Sequence, residues 1–148
     1  MFFVSQQLEE TRLSMRDDLE NWDAMLMRLK HSLQALAMPA DTQLELFPDF
    51  VCKVDELALV FDHWSSCVLC NDRGELSEGQ KSLLRKLDAT FNQMSGGQGQ
   101  NLWAEDALRD CPEWQAVRDT AKAALDSFGW DTERPPSYQH EYIPGANI

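Results

Sequence analysis

Residues 5–37 read SQQLEETRLSMRDDLENWDAMLMRLKHSLQALA, and in this stretch Leu8, Met15, Leu19, Trp22, Leu26, Leu29, Leu33 and Leu36 recur at steps of three and four. That spacing puts all eight on one stripe of a helix. Arg12 takes the single seam position that lacks an apolar residue. A continuous helix from Ser5 to about Ala37 would be roughly 50 Å long at about 1.5 Å per residue. A compact domain of this size has a diameter under roughly 40 Å, so the rod predicts an elongated bundle. Leu13, Met25 and Met27 flank the stripe and widen it, which predicts contact with more than one neighbouring helix.

The rest of the chain repeats the pattern. Residues 39–48, with proline at both ends, predict a connector whose Leu44, Leu46 and Phe47 tuck under the bundle. A second helix is expected from Pro48-Asp49 to Asn71-Asp72, with Phe50, Val54, Leu57, Phe61, Trp64 and Val68 on its inner face and an antiparallel course beside the first. Asn71-Asp72-Arg73-Gly74 is turn chemistry. Ser77 with Gln80 forms a capping box for a third helix that buries Leu83, Leu84, Leu87, Phe91 and Met94. Glycine-rich residues 95–101 follow, then a short helix over about Leu102–Arg109. A fifth helix is expected with Asp110 and Glu113 as its cap, Pro112 in its first turn, Trp114, Val117, Ala121, Leu125 and Phe128 inside, and Gly129 just past its end.

The predicted fold is therefore all-α. It is an elongated antiparallel helical bundle of four to five helices, with a long N-terminal helix and an irregular C-terminal tail. Residues 1–129 form the bundle domain, and 130–148 an irregular arm packed on it.

Composition narrows the function. The chain has 148 residues, 25 acidic against 13 basic side chains and a formal charge of −12, spread over both halves of the sequence. Such a field repels phosphate backbones, so direct nucleic-acid binding is not expected. The longest apolar run, Leu57–Phe61, is too short for a membrane span, so no membrane partner is expected either. A cytoplasmic location is expected, with Cys52, Cys67, Cys70 and Cys111 as thiols.

Chemistry-bearing residues are few. His63 and Cys67 lie one helical turn apart, and Cys67 and Cys70 have the C-x-x-C spacing that can grip a tetrahedral zinc. A closed site needs a fourth ligand. Cys52 lies about 16 Å further down the same helix, which leaves Cys111 or His140 to supply one through the tertiary fold. Ordinary buried thiols are the simpler account. No cofactor is therefore expected, with zinc on His63, Cys67 and Cys70 as the alternative. The acids Asp62 and Asp72 beside the pair predict raised thiol pKa values, the wrong direction for a nucleophile. The acidic pairs Asp17-Asp18, Asp55-Glu56 and Glu105-Asp106 are adjacent in sequence and point about 100° apart on a helix, so none of them faces its partner as a general acid and base. The glycines at 96–99 lack the lysine of a phosphate loop. Catalysis is not expected.

What remains is surface. Glu10, Asp17 and Glu20 lie away from the seam of the first helix, with Asp18 and Asp23 at its flanks. Five tryptophans are many for this length, and tryptophans not needed inside are effective interface anchors. The expected function is an acidic protein-binding module that masks or inhibits a basic partner protein. Glu10, Asp17, Asp18, Glu20 and Asp23 would steer the encounter, and Trp130, Tyr138 and Tyr142 would grip from the C-terminal arm. This is the physical style of small bacterial immunity and antitoxin proteins, or of nucleic-acid mimics, by analogy of charge and size alone. Two alternatives are a self-associating adaptor, a homodimer through the N-terminal helix whose register Arg12 sets, and a zinc-organised module.

Overall fold

The computed structural model describes residues 21–96 and 101–139. Among these residues the chain forms six helices and no strand: α1 (Trp22–Ala37), α2 (Ala40–Glu45), α3 (Lys53–Asn71), α4 (Glu78–Ser95), α5 (Glu105–Asp110) and α6 (Pro112–Phe128). The protein is an all-helical bundle.

The first helix begins later than its periodicity predicts. Asn21 is the N-cap of α1, its side-chain oxygen accepting the Ala24 N–H at 3.1 Å. A short polar side chain that bonds the backbone two or three residues on competes with helix continuation and favours a start there. The expected unbroken rod from Ser5 is therefore cut at Asn21, and the part over Ser5–Glu20 lies outside the described residues. At 16 residues, α1 is about 24 Å long, which removes the length argument for an elongated shape.

Within α1 the buried stripe is turned from the one expected: Met25, expected at its flank, is fully buried, whereas Trp22 and Leu26, expected within it, are only partly buried. Met25, Leu29, Leu33 and Leu36 are buried, and the helix packs against both α3 and α6. These four positions are covered by the chain's own helices. The third and sixth helices supply Leu57, Phe61, Trp114, Val117 and Leu125 to the same core, and α4 adds Leu84 and Leu87. Helices α4 and α6 run antiparallel: Gln80 at the start of α4 donates to the Ser127 carbonyl near the end of α6 at 3.1 Å, while Phe91 and Trp114 meet at the opposite ends, 5.7 Å between centroids.

Three helix boundaries differ from expectation for local reasons. The connector 39–48 contains α2, which brings the helices among the described residues to six where four to five were expected for the bundle; its Leu44, Leu46 and Phe47 are buried as read. A turn closed by Val51 N–H on the Pro48 carbonyl precedes α3, so α3 starts at Lys53 and Phe50 is left 65% exposed instead of facing the core. Cys111, as the residue before a proline, adopts an extended backbone (φ −83°, ψ 136°) and is the N-cap of α6. Asp110 accordingly ends α5 and does not cap α6. The expected capping box at Ser77 and Gln80 is present in both directions, and Gly129 takes the left-handed conformation (φ 73°) that closes α6.

A buried polar network joins four elements. Gln43 on α2 is fully buried and donates to the Ala35 and Leu36 carbonyls in the last turn of α1, at 3.1 and 3.0 Å. Its own oxygen accepts from Arg118 Nη2 of α6 at 3.2 Å, and the same nitrogen donates to the Leu108 carbonyl of α5. Burial lowers the Arg118 pKa, with Asp119 opposing. Arginine stays protonated all the same, so a positive group sits where two helices present their partly negative carbonyl ends.

Beyond Gly129 the described chain lies across α1 and α2. Trp130 stacks on Phe128 at 4.2 Å. The Asp131 carboxylate accepts from Gln34 at 2.8 Å and lies 3.9 Å from Lys30. Its pKa is lowered by the Glu133 backbone N–H first, then, against a smaller burial penalty, by Lys30 and Gln34. Arg134 pairs with Glu45 at 3.1 Å. Tyr138 donates its backbone N–H to the Leu46 carbonyl at 2.9 Å and stacks its buried ring on Phe47.

Candidate functional site

One concavity among the described residues follows from the packing. Helix α1 is sandwiched by α3 and α6, and α6 by α1 and α4, but α3 and α4 touch only sparingly. Between them runs an open groove of about 650 Å³. Its α3 wall is formed by Asp55, Ala58, Leu59, Asp62 and Ser66, and its α4 wall by Asp88, Asn92 and Ser95, with Phe91 and Trp103 between the walls. On α3 the sequence steps of four, three and four from Asp55 to Ser66 make one stripe, next to the buried stripe of Leu57, Phe61 and Val68. On α4 the steps of four and three from Asp88 to Ser95 do the same.

The floor is rigid. Trp114 is fully buried and donates its indole N–H to the Leu102 carbonyl at 2.8 Å. Trp103 stands edge-on to it at 5.7 Å, Phe91 lies 5.7 Å from it and 6.2 Å from Trp103, and Phe61 meets Phe91 at 6.0 Å. Offset and edge-to-face arrangements at these separations are the favourable ones for aromatic rings. Trp103, half-buried, and the exposed edge of Phe91 line the bottom of the groove with aromatic surface.

Above that floor three carboxylates have no ion-pair partner among the described residues. Asp55, Asp62 and Asp88 have no hydrogen bond or ion pair with another described side chain, whereas Asp41, Asp49, Asp72 and Asp131 all do. Leu59, 54% exposed, stands between Asp55 and Asp62. The lining offers carboxylates, hydroxyls, an amide and aromatic faces, with no imidazole or thiol among its residues. It can bind cationic groups with attached apolar surface. Neither the family models nor the curated proteins nor the solved structures compared with this chain match it.

The residues singled out by sequence lie elsewhere. Glu10, Asp17, Asp18, Glu20 and Tyr142 fall outside the described residues. Asp23 is exposed in the first turn of α1. Trp130 is half-buried on Phe128, and the Tyr138 ring is spent on Phe47 inside the core. His63 and Cys67 are neighbours, Nε2 to Sγ 3.9 Å, with Cys70 one turn on at an exposed position. Among the described residues no three His, Cys, Asp or Glu side chains converge in a way that could hold a metal ion. Burial raises the Cys67 thiol, with Cys70 adding to it. The direction is the one expected, but packing causes it and not the neighbouring aspartates. His63, edge-on to Trp64 at 4.6 Å, has its pKa lowered by burial, with Asp62 opposing.

Sequence reasoning missed the groove because it weighed acids by adjacency. Asp55 and Glu56 diverge, whereas Asp55 and Asp62, seven apart, share a stripe. That much was readable, but the facing of this stripe by Asp88 across a gap is a property of the packing.

Proposed function

We propose that this protein is a non-catalytic binding module that captures a basic partner protein and masks the surface it grips. The observation that carries the reading is the groove between α3 and α4, where three carboxylates without an ion-pair partner among the described residues stand over an aromatic floor. Grouping like charges without counter-ions costs self-repulsion in the compact state, and a cationic partner relieves it. The −12 formal charge of the whole chain extends the attraction outward, raising the encounter rate at low salt. No described helix is long and apolar enough to cross a membrane, and all four cysteines are free thiols. Both are compatible with the proposed action in the reducing cytoplasm.

The test is selection of an unbiased library of short displayed peptides on the immobilised chain, in parallel with an Asp55→Asn/Asp62→Asn/Asp88→Asn variant whose helicity is checked by circular dichroism. The expected result is a lysine- and arginine-rich consensus that binds the native chain, weakens as salt rises and is lost on the variant. Enrichment of acidic or purely apolar peptides, enrichment of none, or equal binding by the variant would each overturn the proposal.

A further inference from the structure

We infer that the occupant of the α3/α4 groove is an amphipathic basic helix of the partner. This deepens the basic-partner reading and rests on it. Both walls of the groove are helices, and a helix packs into the space between two others as the helices of a bundle do. The α3 stripe from Asp55 to Ser66 covers about 16 Å, three helical turns.

Along it Asp55 and Asp62 are separated by about 10.5 Å. A helix laid alongside repeats its face at the same pitch and brings residues i and i+7 opposite the two carboxylates, with i+3 and i+4 opposite Leu59 and above Phe91 and Trp103. An arginine or lysine at i and i+7 with leucine-like residues between them satisfies both layers, and Asp88 on the other wall receives a third cation from the flank. A β-strand does not fit that spacing. Its same-face residues fall about 6.6 or 13 Å apart, so two of its cations meet Asp55 and Asp62 together only by bending their side chains away from the straight course a helix allows. Leu59 supplies the apolar part of the argument: a large side chain left 54% exposed between two carboxylates is of no use to a purely polybasic ligand.

The experiment titrates three fluorescent peptides of equal net charge against the full chain by anisotropy. The first carries arginine at i and i+7 around a leucine pair, on an alanine-rich helical frame. The second has the same residues scrambled so that no face is amphipathic, and the third spaces the arginines with proline in an extended helix. The expected result is that the first binds at least about tenfold tighter than the others, gains helical circular dichroism on binding, and loses most of its advantage on a Leu59→Gln variant. If the three bind alike, or the proline-spaced peptide binds best, the helical occupant is overturned while the basic-partner reading stands. If none binds, both fall.

Discussion

Replacing Gln43 with leucine removes one side-chain amide from the centre of the buried network while nearly preserving volume. The Leu36 carbonyl then has no partner among the described residues, whereas the Ala35 carbonyl keeps the Met38 N–H at 3.3 Å. Arg118 loses its acceptor on Gln43 but keeps Leu108 and, through Nη1, Gln115 at 3.4 Å. An orphaned buried carbonyl costs about 1–2 kcal/mol, and a lost hydrogen bond to a charged donor about 1.5–3. Together these put the destabilisation near 3 kcal/mol, a fall in Tm of about 10 °C for a domain of this size. Thermal and urea unfolding followed by far-ultraviolet circular dichroism measures it. Gln43→Glu keeps an oxygen for Arg118 but turns an acceptor toward the Ala35 and Leu36 carbonyls, the second of which then has no donor, so it does not restore stability. A leucine variant within about 1 kcal/mol of the native chain would refute the account of what Gln43 holds together.

Three further outcomes follow from local geometry. Ser77→Ala removes the oxygen that accepts the Gln80 N–H at 3.0 Å and should cost about 1 kcal/mol in urea unfolding. Gly129→Ala meets no neighbouring atom within 4 Å, so its cost of about 1 kcal/mol is purely that of a side chain held at positive φ. The lowered pKa of His63 means that the folded state binds fewer protons than the unfolded one in the window below the ordinary value of 6.5. Stability should therefore fall as pH drops through that window and level off above it. His63→Gln should flatten this part of the curve of urea midpoint against pH.

Much of the architecture was written in periodicity and punctuation. The buried positions Leu29, Leu33 and Leu36, the capping box at Ser77, the turn at Asp72 and the closing glycine at 129 are local features, and local rules found them. At the Asp72 turn, burial works to raise the carboxyl. The N–H groups of Leu76 and Glu75, with Lys81 and Gly74, outweigh it and hold the pKa low. The errors came where two local rules compete. A proline can open a helix, but at Pro48 a separate turn uses it. A regular stripe can continue, but Asn21 offers the backbone another bond. The groove and the Gln43–Arg118 network were beyond reach for a different reason. Their members are 33 and 75 residues apart in sequence, from Asp55 to Asp88 and from Gln43 to Arg118, and nothing in either segment alone says that the other is near.

That separation also bears on synthesis. On the ribosome α1 and α2 are made well before α6, yet the carbonyl end of α1 is secured through Gln43 to a guanidinium on α6. The early segments can coil and collapse as they appear, but their final seating waits for Arg118 to be delivered, so a chain stalled before that residue carries a loose hinge that chaperones and proteases can find.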